Sequence, residues 1–176
     1  MKILFFILLP LTLLTGCSSG NDWRTASRDP AGLAPDPATT PEPVLHVYAA
    51  DAWGWRGWFA IHTWVATKRA DEDFYRVYDV VGWRARRGQD VMHVGRDAPD
   101  RHWFGSKPYL LLEHRGEGVD ALIDAVDAAA DAYPWKSTYR VFPGPNSNTF
   151  VAWIGQQVPE LGLVLPFSAI GKGYID

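Results

Sequence analysis

The sequence predicts an α+β domain, a mainly antiparallel β-sheet carrying two packed helices. Three observations point there. Short segments with β-branched and aromatic bias follow one another through the first two thirds of the chain, and a polar, hairpin-like break separates the two longest. Only two stretches show helical apolar spacing, and both come late. The 176 residues suit one domain of ordinary size, and a composition 47% hydrophobic with 9 Trp supplies a core for it. A formal net charge of −3 lacks the basic footprint of a nucleic-acid binder, so no nucleic-acid partner is expected.

The elements justify themselves in order. Met1 and Lys2 form a positive n-region, and the apolar residues 3–14 are fewer than the roughly 20 a membrane-spanning helix needs. Leu14-Thr15-Gly16-Cys17 then resembles the lipobox of a bacterial lipoprotein. Residues 1–16 are therefore expected to be a lipoprotein signal peptide, with lipid on Cys17 holding the protein to the membrane. Ser18, rather than Asp, at the next position points to the outer membrane and a domain facing the periplasm. Cys17 is the only cysteine, so no intramolecular disulfide, CxxC redox pair or zinc knuckle can form. Residues 17–43 combine small and polar residues with Pro30, Pro35, Pro37, Pro41 and Pro43, the composition of an extended tether.

A single globular domain is expected over residues 44–176. Val44-Leu45-His46-Val47-Tyr48 reads as its first strand and Trp53-Gly54-Trp55-Arg56-Gly57 as a turn. Residues 58–68 and 74–83 are two longer strands on either side of Arg69-Ala70-Asp71-Glu72-Asp73. In the first of them Phe59, Ile61 and Val65 alternate with Trp58, Ala60, His62 and Trp64, so both faces are apolar and the strand is central. Residues 90–94 and 108–113 are weaker strands. Residues 117–133 form the clearest helix, with an apolar stripe of Val119, Leu122, Ile123, Val126 and Ala130 that Pro134 ends. Its acidic face, Asp120, Asp124, Asp127 and Asp131, reads as solvated and without function. Residues 137–142 read as a short strand. A second helix opens at Pro143-Gly144-Pro145-Asn146, buries Phe150, Val151, Ile154 and Val158, and closes at Pro159. Residues 161–170 are an edge strand or a packed extended segment.

Pro143-Gly144-Pro145-Asn146-Ser147-Asn148-Thr149-Phe150 sets a hydroxyl at a helix N-terminus, where unpaired N–H groups and the helix dipole favour negative charge. An acyl-transfer nucleophile and its oxyanion hole can coincide at such a place. Ser147 is the candidate nucleophile, His62 the candidate base, and Asn146 and Asn148 shape the site, with the backbone N–H of Ser147 or Asn148 as oxyanion donor. Asp79, on the neighbouring strand, is the candidate group orienting the imidazole; Tyr78 takes its place if the hairpin register shifts by one. His46, His93, His102 and His114 stand at no metal-ligand spacing, and no metal or cofactor is expected.

Val47-Tyr48-Ala49-Ala50, Trp53-Gly54-Trp55-Arg56-Gly57, Ile61-His62-Thr63-Trp64, Val80-Val81-Gly82-Trp83-Arg84, Trp103-Phe104-Gly105, the Pro143 octapeptide and Ala169-Ile170-Gly171-Lys172 together resemble the family catalogued as domain of unknown function number 3750. The resemblance spans residues 44–174 and brings no activity with it. More distantly, a strand His followed by Asn-x-Asn at a helix start is similar to the circularly permuted papain-like and NlpC-like hydrolases, whose motif has Cys where Ser147 stands. That resemblance implies a permuted papain-like architecture, with His62 as base and Ser147 as nucleophile. The exchange of Ser for Cys matters. A helix N-terminus contributes at most about 2 kcal/mol to an anion, roughly 1.5 pKa units. This is enough to ionise a thiol near neutrality but not a hydroxyl, so Ser147 depends on His62.

Two functions follow as expectations. The first is a hydrolase or acyltransferase acting on an envelope amide or ester through Ser147, His62 and Asp79, with a cell-wall or lipid substrate. The second is a catalytically silent binding or structural lipoprotein that retains the fold and its cleft. Trp53, Trp55, Trp58 and Trp64 serve core packing, sugar stacking or a membrane interface. Arg84, Arg86 and Arg87 hold a phosphate or lipid headgroup, or line a solvated loop.

Overall fold

The computed structural model describes residues 22–175; the expected signal segment, residues 1–16, and Cys17 lie outside the described residues. The fold is α+β, with a five-stranded antiparallel sheet and two main helices. In chain order the strands are β1 (Val44–Asp51), β2 (Ile61–Lys68), β3 (Arg76–Val80), β4 (Met92–Arg96) and β5 (Tyr109–Arg115), and they lie side by side as β4-β3-β2-β1-β5. Val47 stands opposite both Val65 of β2 and Leu112 of β5, and a bulge follows it on the β5 side. Every residue of β2 is buried, as an apolar strand covered on both sides should be.

The strand alternation divides the core in two. Leu45, Val47, Ala49, Ile61, Val65, Tyr78 and Val80 face α1 (Val119–Asp131) and α2 (Ser147–Gln157). Tyr48, Ala50, Trp64, Ala66, Val77 and Val81 face the other way and are roofed by Trp103 and Phe104. Helix α1 starts from Gly118, whose φ of 83° is the left-handed conformation glycine adopts at little cost. Its acidic face is not simply solvated. Arg69 Nη2 donates to Asp124 Oδ1 (2.6 Å) and Asp127 Oδ2 (2.9 Å), and Ala70 N donates to Asp120, so the β2–β3 turn is pinned to the helix.

Two expectations about local structure are corrected, and one left open between two alternatives is decided. Residues 137–142 form no strand: Lys136 O accepts from Val91 and Met92, but the chain then turns, with Arg140 N donating to Pro145 O. Pro143 and Pro145 have no N–H with which to continue a ladder. Residues 161–170 form a packed extended segment rather than an edge strand, touching β2 through Ser168 O, which accepts from Ile61 N. Residues 27–43 are not a free tether but a strap across the second face. Gly105 N donates to Ser27 O, Ala31 N to Asp100 O, and Leu33 N and Ala34 N to Asp100 Oδ2, while Tyr75 Oη donates to Pro35 O. The one large aliphatic side chain of the segment, Leu33, is exposed, but the segment's backbone supplies the donors and acceptors that fix it.

Candidate functional site

The turn before α2 is organised by its own side chains. Asn146 Oδ1 accepts from Asn148 N (3.0 Å) and Thr149 N (3.2 Å), and Asn146 N donates back to Thr149 Oγ1 (3.1 Å), a reciprocal capping box. Asn146 Nδ2 donates to Val141 O and Ile170 O. Asn148 Nδ2 donates to Ile61 O and Ile170 O, both 2.9 Å, and its Oδ1 accepts from Thr63 Oγ1, also 2.9 Å. Thr149 Oγ1 donates to Gly171 O at 2.7 Å. The octapeptide thus ties α2 to β2 and to the C-terminal segment. Ser147 is 4% exposed, and among the described residues its hydroxyl takes part in no hydrogen bond.

Ser147 and His62 are not brought together. On β2 it is Thr63 that meets α2, while His62, one residue earlier, leaves by the opposite face to join Trp64 and Trp103. The Asn148 N–H, expected to stabilise an oxyanion, is already given to Asn146 Oδ1. Ser147 therefore has neither the base nor the Asn148 donor that the sequence led us to expect. It is the first residue of a helix whose cap is Asn146.

His62 does have a charged environment of its own. Its Nε2 lies 2.8 Å from Asp79 Oδ1, and Arg101 Nη2 donates to Asp79 Oδ2 at 2.7 Å. The pairing of Val65 with Tyr78 sets this register, sending Tyr78 toward the helices and Asp79 toward His62. The imidazole lies flat against Trp103, with ring centroids 3.5 Å apart at 5°. Burial by itself would raise the Asp79 carboxyl. The His62 charge and hydrogen bond, with the Arg101 guanidinium, outweigh it and hold Asp79 below the ordinary carboxylate value.

Above this trio lies a cavity of about 200 Å³, bordered by Asp79, Trp83, Trp103 and Phe104 and by five arginines, Arg28, Arg84, Arg87, Arg96 and Arg101. Among the described residues only Arg101 of these five has a carboxylate partner, pairing with Asp79 and Asp97. Arg101 Nη1 is buried with no partner. Arg28 stacks on Phe104 and Arg96 on Phe74, leaving their edges free to donate. His93, also on the cavity wall, is pushed below its ordinary value, first by burial and then by the Arg84 charge. The arrangement can hold an anion. Of the charged groups the sequence proposed a role only for Arg84, Arg87 and the His62–Asp79 pair; Arg28 on the strap, Arg96 at the end of β4 and Arg101 in the loop after it sit at scattered positions that only the fold brings together.

No group of three or more metal-ligating side chains occurs among the described residues. Neither a curated protein nor a solved structure matches the chain at a significant level. One family model does match, over residues 42–174, which takes in all five strands and both helices but only the last residues of the strap. On that match the chain belongs to the family described as Protein of unknown function (DUF3750).

Proposed function

We propose that the protein is an envelope lipoprotein that binds an anionic ligand without transforming it, on a body of permuted papain-like type whose catalytic cysteine position is filled by Ser147. The observation that carries this reading is the cavity wall, where four arginines that have no carboxylate partner among the described residues stand with Arg101, itself held by Asp79. Clustered guanidinium groups repel one another, and a bound oxyanion relieves that repulsion while accepting charge-assisted hydrogen bonds. About 200 Å³ suits a phosphate or carboxylate group with a few attached carbons rather than a whole glycan chain. The lipobox at Leu14-Thr15-Gly16-Cys17 supports the lipid anchor, and Ser18 supports the outer membrane with the domain facing the periplasm.

Calorimetric titration of the processed protein with glycerol 3-phosphate at low ionic strength tests the reading. Binding is expected, with affinity at least about tenfold lower in Arg87→Glu and in Arg96→Glu, because each reverses one charge at the wall. Equal heats in all three proteins would overturn it. The acyl-transfer alternative is supported by the free hydroxyl of Ser147 at the start of α2. It makes the opposite prediction to ours: covalent labelling of Ser147 by a fluorophosphonate, abolished in His62→Ala.

A further inference from the structure

One end of the molecule carries an aromatic surface that the anion cavity does not use. The short 3-10 helix after β1, Gly54–Trp58, presents Trp55 and Trp58, which are 65% and 90% exposed, and Phe59 beside them is 52% exposed. Phe142, in the turn before α2, is 76% exposed, and Phe167, in the C-terminal segment, is 91% exposed. Three loops far apart in sequence thus present large rings at the same end. Their adjacency is fixed by hydrogen bonds already described: Ile61 N to Ser168 O joins β2 to the C-terminal segment, and Asn146 Nδ2 joins Val141 O and Ile170 O. Packing has claimed Trp64 and much of Trp53, so the exposed pair is what the tryptophan cluster leaves over.

We propose that this end seats in the headgroup region of a lipid bilayer, as a second contact beside the lipid on Cys17. The proposal rests on the lipoprotein reading given above. Trp and Phe at loop tips, flanked by cations, match the interfacial zone, where amphipathic rings and basic side chains are favoured. The cations are present: Arg56 lies between Trp55 and Trp58, Arg140 precedes Val141, and Lys107 precedes β5. The opposite end is acidic on balance, with Asp71, Glu72, Asp73, Glu117, Asp120, Asp124 and Asp127 against Lys68, Arg69, Arg76 and Arg115, so an anionic leaflet repels it.

The strap supplies the third argument. It runs from Pro43, beside Gly116 at the acidic end, to Ser27, bonded to Gly105, and Ala26, packed on the cluster that holds Trp53 and Phe104. The described chain therefore begins at the aromatic end. Cys17 precedes Asp22 by five residues, a reach of at most about 18 Å. A lipid there holds the aromatic end at the membrane and leaves the acidic end outermost.

The test uses the processed full chain in vesicles of phosphatidylethanolamine and phosphatidylglycerol whose acyl chains carry bromine at shallow or deep positions. Intact mass of the same preparation reports whether Cys17 is lipidated. The expected result is quenching of tryptophan fluorescence, stronger for the shallow label and lost in Trp55→Ser/Trp58→Ser, whose exposed side chains leave the circular dichroism spectrum unchanged. Lipid present without quenching overturns the seating and leaves the anchor standing. Lipid absent overturns the anchor, and flotation of the unlipidated chain with anionic vesicles then decides the seating alone: retained in wild type and lost in Phe142→Ser/Phe167→Ser supports it, and no flotation overturns it. Sedimentation showing a dimer that the tryptophan variant dissolves assigns the face to a second copy and overturns the proposal.

Discussion

Asp79→Asn probes the trio beneath the cavity at nearly constant shape. The Asp79 side chain is 6% exposed and Arg101 11%, so the substitution removes a negative charge that solvent does not replace. It also turns one of the two acceptors, now bonded to His62 and Arg101, into a donor. Breaking a buried pair on one side costs about 3–5 kcal/mol, and a domain of this size loses about 2–4 °C per kcal/mol, so Tm falls by about 6–20 °C. The sign with pH follows from the lowered Asp79 pKa. The stabilisation is fully present above the ordinary carboxyl value of 3.8 and is lost as pH falls through the lower folded value. Scanning calorimetry of both proteins from neutral to strongly acid pH checks this, with the two curves converging in acid. The same substitution frees the Arg101 guanidinium and tightens anion binding. A Tm change within about 2 °C at neutral pH would refute the reasoning, because Arg101 would then be relaxing into water at little cost.

Further outcomes follow from other residues. Asn146→Ala removes the α2 cap together with two donors to backbone carbonyls and lowers stability by about 2–4 kcal/mol in urea titration. Ser147→Ala, by contrast, changes it by less than about 1 kcal/mol, since no hydrogen bond is lost. Asp100→Ala releases Leu33 N and Ala34 N, and limited proteolysis then cuts within residues 27–43, a site protected in the wild type. His93 is uncharged at neutral pH and gains a proton only below its ordinary value of 6.5. Affinity for sulfate, whose own charge is constant in this range, therefore rises as pH falls through that lowered value, and His93→Gln flattens the profile in titrations at constant ionic strength. Burial and then Arg84 and Arg101 hold the His93 value down, while Asp79 and Asp97 oppose them.

Much of the scaffold was legible in the sequence because local pattern and tertiary burial agree. Val44-Leu45-His46-Val47-Tyr48 is a strand in both, and the Val119, Ile123, Val126, Ala130 stripe is the face α1 turns to the sheet. The strand alternation even grouped His62 with Trp64. What a linear pattern does not carry is which face a later helix covers, and that decided the site: Thr63, not His62, meets Ser147 and Asn148. The Asn-Ser-Asn-Thr run looked like chemistry because a good cap and a nucleophile turn use the same polar residues at the same helix end. Residues 27–43 looked like a spacer because composition registers apolar side chains and overlooks backbone donors, which here find Asp100. The cavity arginines come from the strap, the segment after β3, β4 and the loop after it, with no spacing that announces them.

The place of β1 in the sheet governs how the chain can be assembled. Its residues pair on one side with β2, 10 positions on at Asp51–Ile61 and 24 at Val44–Lys68, but on the other with β5, where Val44 meets Arg115. Pro30 likewise waits for Arg101. Closing such distant pairs comes late, after loop entropy has been overcome. A chain delivered N-terminus first thus exposes the apolar segment Val-Leu-His-Val-Tyr-Ala-Ala with an open hydrogen-bonding edge until residue 115 has arrived. Holding that edge apart from its copies until then falls to a chaperone, and the slow step expected in refolding of the purified protein is the docking of β5.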